Sequence, residues 1–245
     1  MSLLGKIRNR LLHLRLQPIR VFCFHQVSDT FNPRTMWKCD WTPTDVFKLK
    51  IENYSKEYTF ITLPKAYQKL KNDTFRFRKY AVLTFDDGMK CIGDILPWLQ
   101  EKNVPVTLFL SAKYLDGKSY YRGYDPYWEE QGLPIPAVAA TDLYMTQEQI
   151  DQLQSPLIEI AIHGWEHIAV PEMLEEEFKT QTRLAVDRLE THPRYIPYYA
   201  YTYGRYTNRS VEILRQYQMI PVLCDGMKNY TWDGFIHREI ADGES

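Results

Sequence analysis

Short apolar runs rich in β-branched residues alternate along the chain with segments whose apolar residues recur at helical spacing. The regular alternation favours parallel βαβ units, arranged either as an open doubly wound sheet or as a barrel. Strands are predicted over residues 19–24, 60–63, 81–85, 104–110, 157–162, 195–203, 220–224 and 235–240. Helices are predicted over 44–51, 64–70, 90–102, 146–154, 171–190 and 208–217.

Two segments depart from this alternation. Residues 1–20 contain basic residues and leucines near helical spacing, and no acidic residue precedes Asp29. They predict a basic amphipathic helix over 1–18, which either packs on the domain or lies on an anionic membrane surface. Residues 116–140 are rich in glycine, proline and tyrosine, which is typical either of a lid or binding loop or of a surface insertion.

Composition limits the classes of function. The chain has 245 residues, of which 44% are hydrophobic and 25% charged, with a net charge of -1. We therefore expect no nucleic-acid partner, because no global positive field exists. Four scattered cysteines without a CxxC pair favour a reducing compartment. Without a recognisable signal peptide, we expect a cytoplasmic location. Peripheral contact at the inner membrane face through residues 1–20 is the alternative to a helix that packs on the domain.

Three predicted strands end at residues that can bind a metal ion. Residues 21–24 precede His25, residues 81–85 precede Asp86 and Asp87, and residues 157–162 precede His163. In a parallel barrel all strand carboxyl ends lie on one face, where active sites are built. Each feature alone also fits an ordinary turn, since Asp-Gly is common turn chemistry, but their combination predicts a shared site.

A second histidine strengthens this prediction. His167 follows His163 by four positions, so two imidazoles and a carboxylate could occupy one face of a divalent cation. Such a ligand set leaves positions open for water and substrate. The sequence therefore predicts a catalytic metal site rather than a closed structural one.

Four stretches resemble the polysaccharide deacetylases of carbohydrate esterase family 4, also called the nodulation-protein-B homology domain. Residues 84–88 (Thr-Phe-Asp-Asp-Gly) are similar to the family's first motif, and residues 159–167 resemble its second. Residues 199–204 (Tyr-Ala-Tyr-Thr-Tyr-Gly) correspond to the third, and residues 21–29 to the opening strand of many members. The resemblance implies an α/β fold, a distorted (β/α) barrel of about seven parallel strands, as one domain over 19–245.

The resemblance also implies roles for individual residues. Asp87, His163 and His167 would hold a divalent metal ion, with zinc expected and other transition metals as alternatives. Asp86 would be the general base for a metal-activated water. The backbone N–H of Tyr203 would stabilise the oxyanion. Tyr201 and Gly88, in the same motifs, are assigned to the oxyanion and substrate-binding region.

The chain departs from the family pattern in two places. Thr202 stands where the third motif has proline, which puts the oxyanion geometry in question. Ala200 stands where many members have an arginine that orients the base, and Arg205 or Arg238 could replace it.

The resemblance also implies a protonated histidine as the general acid, and the candidates are His25 and His237. Residues 235–237 fit the family's last motif only loosely. We favour His25, because it lies at a strand end on the predicted active face.

Together these features predict a metal-dependent hydrolase that removes acetyl groups, with N-acetyl expected, from a carbohydrate or glycan precursor. The alternative is a catalytically impaired carbohydrate-binding relative that keeps the metal site. A nucleotide-sugar transferase with a manganese site at Asp86 and Asp87 fits less well, because the pair of histidines supplies no phosphate-binding donors.

Overall fold

The computed structural model describes residues 16–31, 40–121 and 138–243. The strands of these ranges are β1 (Ile19–Phe24), β2 (Gln26–Val27), β3 (Trp41–Thr42), β4 (Thr59–Phe60), β5 (Tyr80–Phe85), β6 (Val106–Leu110), β7 (Tyr120–Tyr121), β8 (Val138–Ala139), β9 (Ile158–Ile162), β10 (Tyr195–Ala200), β11 (Ile220–Cys224) and β12 (Ile236–Ile240). The α-helices are α1 (Thr44–Glu57), α2 (Leu63–Asn72), α3 (Ile92–Glu101), α4 (Ala140–Leu143), α5 (Gln147–Asp151), α6 (Glu175–Leu189) and α7 (Asn208–Gln216).

Seven strands form a closed parallel barrel in the order β1-β12-β11-β10-β9-β6-β5. Closure is made by β5 and β1, which pair in parallel along their whole length, from Ile19 opposite Tyr80 to Phe24 opposite Phe85. The short strand β4 pairs with the first two residues of β5, and β6 pairs with its last three. The predicted seven-stranded (β/α) barrel is confirmed, and the open doubly wound sheet is excluded.

Side chains of each barrel strand alternate between the barrel interior and the layer under the helices, as the two-residue period of a strand requires. At the carboxyl ends of several strands, the positions that alternate in step with the inward-facing residues carry polar side chains. These include Asp86 after β5, His163 after β9 and Arg238 in β12. The apolar part of the interior is formed by Ile19, Val21, Val82, Phe109, Ala161, Ala200, Val222 and Ile236.

Several element boundaries differ from the predicted ones. The helix predicted over 171–190 begins only at Glu175, and Leu174 is 78% exposed. Its buried face follows spacings of four, three and four residues, which leaves Leu184 largely outside. This face is formed by Phe178, Thr182, Ala185 and Leu189, and Gln181 is buried beside it.

The helix predicted over 146–154 begins with a capping box at Thr146. The Thr146 hydroxyl accepts from the Gln149 backbone N–H, and the Gln149 side chain accepts from the Thr146 N–H. The helix that it opens, α5, ends at Asp151 rather than at Gln154. The strand predicted over 195–203 ends at Ala200, because the chain turns at Thr202–Gly204.

Two predictions fall largely outside the described residues. The helix over 1–18 is described only from Leu16, and the segment over 116–140 only up to Tyr121 and from Val138; both stay predictions. None of the helices in the described ranges has the length and apolarity needed to cross a bilayer.

Candidate active site

The carboxyl ends of β5 and β9 bring the three predicted metal ligands together. Oδ1 of Asp87 lies 3.0 Å from Nε2 of His167 and 3.4 Å from Nε2 of His163. One donor atom from each of the three residues lies within 4.8 Å of the others. A single cation can bridge donors at this spacing.

Backbone contacts fix the orientation of His163. Its Nδ1 lies 2.9 Å from the carbonyl oxygen of Ala200, so this nitrogen donates and the other, Nε2, is the free acceptor of the neutral ring. Burial lowers the His163 pKa, but the carboxylates of Asp86 and Asp87 outweigh it and raise that pKa above its usual value. A positive charge is therefore favoured at Nε2, either as a proton or as a metal ion.

Asp87 offers a matching anionic donor. Burial opposes its ionisation, but the two imidazoles outweigh this effect and hold its pKa well below the usual range. Although both Nε2 atoms are near, no well-aligned hydrogen bond from the described residues reaches the buried Oδ1. Two imidazole nitrogens and one carboxylate oxygen directed at one point fit a divalent transition metal, and they leave coordination positions open.

Unusual backbone conformations direct these side chains. Asp87, His167 and Tyr203 have φ values of 68°, 58° and 56°. Residues other than glycine rarely adopt this left-handed region, which costs roughly 1 kcal/mol or more at each position. Strain of this kind is typical of functional sites, since the surrounding structure must enforce it.

A segment that the sequence analysis missed holds the two ligand loops against each other. The N–H of Ser111 donates to the Asp87 carbonyl at 3.3 Å, and the N–H of Ala112 donates to the Gly164 carbonyl at 3.2 Å. The N–H of Lys113 donates to Trp165, and its side chain pairs with Glu166. The three N–H donors are backbone groups, so no residue type at 111–113 signals these hydrogen bonds in the sequence.

Asp86 forms a buried, bidentate ion pair with Arg238. The guanidinium Nη1 and Nη2 atoms lie 2.5 and 2.7 Å from Oδ1 and Oδ2 of Asp86. Burial opposes ionisation of Asp86, but Arg238 outweighs it and lowers its pKa from 3.8 to about 2. Of the two arginines proposed as substitutes, Arg238 thus contacts Asp86, whereas Arg205 pairs with Glu172 on the surface.

His25 lies beside Asp86 on the same face. A nitrogen of His25, an oxygen of Asp86 and the sulfur of Cys23 lie within 4.8 Å of one another. Nδ1 of His25 is 2.6 Å from Oδ2 of Asp242, and the His25 backbone N–H donates to Oδ1 of the same carboxylate at 3.0 Å. Burial disfavours the charged imidazole, but Asp242 outweighs it and raises the His25 pKa well above its usual value.

Asp242 was missed in the sequence analysis. It follows the last strand in an Asp-Gly pair, which is ordinary turn chemistry, so only the closure of the barrel connects it to His25.

The structure does not bring His237 into this cluster. Adjacent residues of a strand face opposite sides, so His237 faces outward from β12 because its neighbour Arg238 faces inward. Its Nδ1 lies 2.8 Å from Asp225, and its Nε2 lies 2.9 Å from Asp233. Both ring nitrogens are engaged away from Asp86, so the geometry does not support His237 as the general acid.

The predicted oxyanion and substrate residues occupy different environments. Tyr203 is 58% exposed, and its ring packs edge-on against that of His167 at 4.9 Å. Tyr201 is buried in the layer under the helices, where its hydroxyl accepts from Ser210. The structure therefore does not place the Tyr201 side chain where it could meet a substrate.

Gly88 shapes the turn after Asp87. Its N–H donates to the Asp86 carbonyl at 2.8 Å, and its φ is 82°. A Cβ at this position would lie 2.8 Å from Cδ2 of Leu110. Gly88 thus serves backbone geometry and close packing, and its N–H is not available to a substrate.

Thr202, at the position of the family's proline, is buried with its hydroxyl 3.5 Å from the His163 carbonyl. The left-handed turn at Tyr203 follows it without a proline. The threonine therefore touches the loop that carries the metal ligands.

The chain and its fold are similar to known proteins. A family model described as polysaccharide deacetylase matches residues 76–222, which is more than half of the chain. No curated protein sequence matches. The fold is similar to IcaB from Ammonifex degensii, with a TM-score of 0.73, 20% identity and coverage of 93% of each chain.

Two further solved structures share the fold. The de-N-acetylase from Aggregatibacter actinomycetemcomitans has a TM-score of 0.70 and 16% identity, over 94% of this chain and 97% of that one. The Streptococcus pyogenes deacetylase PplD, solved in complex with acetate, has a TM-score of 0.66 and 16% identity, over 91% and 92%. On the family match and the shared barrel, the chain belongs to the polysaccharide deacetylase family.

Proposed function

We propose that this protein is a metal-dependent hydrolase that removes acetyl groups, with N-acetyl expected, from a carbohydrate or glycan precursor. The observation that carries the proposal is the convergence of Asp87, His163 and His167 on one point, with Asp86 and His25 beside it. The similar proteins described as a de-N-acetylase and as a deacetylase in complex with acetate support the same acyl group.

Asp87, His163 and His167 would hold the divalent ion, for which zinc is expected from the nitrogen and oxygen ligand set. When bound, such an ion lowers the pKa of a water molecule and polarises an acyl oxygen. The residues around the ion are assigned the proton transfers and the stabilisation of the oxyanion.

Asp86 would accept the proton of the attacking water. Because Arg238 holds the Asp86 pKa at about 2, this carboxylate is ionised at any physiological pH but is a weak base. It can take a proton efficiently only from a water whose own pKa is lowered, which explains why the base lies directly next to the ligand Asp87. The bidentate contact with Arg238 also fixes the direction of the carboxylate.

His25 would complete the reaction on the leaving-group side. As the carbon–nitrogen bond breaks, the imidazolium of His25 donates its proton to the departing amine, and acetate is released. Asp242 stabilises the positive charge of His25 before the transfer. The Tyr203 backbone N–H, presented by its left-handed turn, is the proposed donor to the developing oxyanion.

The test is acetate release by metal-loaded protein from chito-oligosaccharides and acetylated sugars. Asp86→Asn should reduce release by at least 100-fold, in the range of a lost general base, while the metal content stays unchanged. The control is Asp187→Asn, an exposed carboxylate on α6, which should leave the rate unchanged. Acetate release that persists in Asp86→Asn would contradict the assigned base.

The second candidate function is a carbohydrate-binding relative with impaired turnover. Thr202, which replaces the family's proline, favours it. In that case the protein would bind the metal and sugar but release no acetate from any substrate in the same assay.

We also propose a cytoplasmic protein that contacts anionic membranes peripherally through residues 1–20. The support is the basic, leucine-containing sequence of that segment. Fractionation of the full chain against a deletion of residues 1–15 tests it, and an unchanged distribution would contradict it.

A further inference from the structure

The chain after β12 delivers Asp242 to His25, although residues 241–243 belong to no helix or strand. Three elements hold this segment. The Ala241 N–H continues the parallel pairing with β1 by donating to the Cys23 carbonyl at 2.8 Å. The other contacts come from α1 and β3, neither of which belongs to the barrel.

Lys50 of α1 supplies the contact from the helix. Its Nζ lies 3.0, 3.5 and 3.1 Å from the carbonyl oxygens of Ala241, Asp242 and Gly243. An ammonium group has three donors and no acceptor, so three consecutive carbonyls directed at it match its full capacity. An extended segment does not present three successive carbonyls to one point, and this arrangement therefore bends the backbone around Lys50.

Thr42 of β3 supplies the third contact. Its hydroxyl accepts from the Gly243 N–H at 3.1 Å and lies 3.5 Å from Oδ1 of Asp242. Thr42 is fully buried, and the Asp242 side chain has 0% exposure. These contacts hold the Asp242 carboxylate in one orientation, with its two oxygens directed at the backbone N–H and the ring of His25.

We propose that Lys50, with Thr42, is a positioning residue for the general acid: it shapes residues 241–243 so that Asp242 meets His25. This inference rests on the proposed deacetylase function, in which His25 protonates the leaving amine. The contacts of Lys50 with this segment go to the carbonyls, and its effect on the reaction passes through Asp242.

The first arm of the test measures the geometry without activity. Amide hydrogen exchange is compared in the full chain and in Lys50→Met and Thr42→Val, at Gly243 and His25, whose N–H groups bond to Thr42 and Asp242. We expect exchange at these amides to become at least about tenfold faster, because local opening becomes easier. Lys56→Met, an exposed lysine on the same helix bonded to Asn53, is the control and should change neither amide.

The second arm compares two leaving groups with the metal-loaded protein. An N-acetyl sugar needs a proton on its leaving amine, whereas an aryl acetate releases a phenolate that needs none. In Lys50→Met and Thr42→Val, kcat for the amide should fall roughly tenfold with KM unchanged, and aryl acetate hydrolysis should change less than twofold.

Unchanged exchange in both variants would overturn the inference whatever the activity. A parallel fall for both substrates would also overturn it, since that result indicates a general loss of structure. If the unmutated protein releases acetate from neither substrate, the proposed function fails, and the catalytic role of Lys50 fails with it. The exchange arm distinguishes that case from a failure of Lys50 and Thr42 to hold residues 241–243.

Discussion

The carboxyl end of the barrel has two parts: a ligand half (Asp87, His163 and His167) and an acid–base half (Asp86, Arg238, His25 and Asp242). In the ligand half, the donors come from two short stretches of sequence, one with Asp87 and one with His163 and His167. Both stretches lie inside the family match over 76–222. In the acid–base half, Asp86 and Arg238 are 152 positions apart, and His25 and Asp242 are 217 apart.

The difference shows that a short sequence motif can encode a set of metal ligands but not the partners that set the charge of an acid or base. A metal needs several donors near one point, which a turn after a strand can supply locally. A proton donor needs a partner that sets its charge, and that partner can come from any strand next to it in the barrel. Only the closure of β1 with β5 and β12 brings Asp242 and Arg238 to the site.

Removing Arg238 should have the largest effect on stability, because it leaves a buried carboxylate unpaired. We expect Arg238→Met to lower the free energy of unfolding by about 3 kcal/mol or more, measured by chemical denaturation. Arg205→Met breaks an exposed pair and should cost less than about 1 kcal/mol. Equal losses in the two variants would contradict the special role of Arg238.

Substitution of each of the two histidines proposed as general acid tests whether the acid–base half contains His25 or His237. We expect His25→Gln to lower amide hydrolysis roughly 100-fold with little change in aryl acetate hydrolysis. His237→Gln should leave both rates within about twofold, since the His237 ring is engaged by Asp225 and Asp233. A selective loss of amide hydrolysis in His237→Gln instead would reverse the assignment.

The pH dependence of the unfolding free energy of the metal-free protein should show a smaller effect, which comes from the ion pair of Asp86 with Arg238. The Asp86 pKa is lowered from 3.8 to about 2 in the folded chain, so its stabilising contribution is present above pH 4 and is lost as the pH falls toward 2. This contribution is roughly 2 kcal/mol. The difference in unfolding free energy between the unmutated protein and Asp86→Asn should therefore shrink by this amount across that window; a constant difference would contradict the lowered pKa.

Much of the barrel was predictable because buried strands and amphipathic helices have different periods, and the chain alternates them clearly. The predicted ligands Asp87 and His163 were recognisable because they come just after strands, and His167 was recognisable because it follows His163 by four positions. Closure rather than an open sheet was not predictable from the pattern, since both arrangements use the same βαβ units. The pattern also could not show which residues of β12 face inward, so His237 and Arg238 were not separable before the register was known.

Asp242, Lys50 and the segment 111–113 escaped prediction for a related reason. Their contacts use backbone carbonyls and N–H groups or join distant parts of the chain. Residue type at these positions therefore carries little signal. The geometry of the acid–base half becomes visible only when the whole barrel is assembled.

The central claim is that the neighbouring acids have different roles, Asp87 as ligand and Asp86 as base. The most direct measurement is the metal content of the purified, zinc-loaded protein and of Asp87→Ala, His163→Ala and Asp86→Asn, by elemental analysis after dialysis. The account predicts about one divalent ion per chain in the unmutated protein and in Asp86→Asn, and a loss of the ion in Asp87→Ala and His163→Ala. An unmutated protein without metal, or loss of the ion in Asp86→Asn with retention in Asp87→Ala, would contradict it.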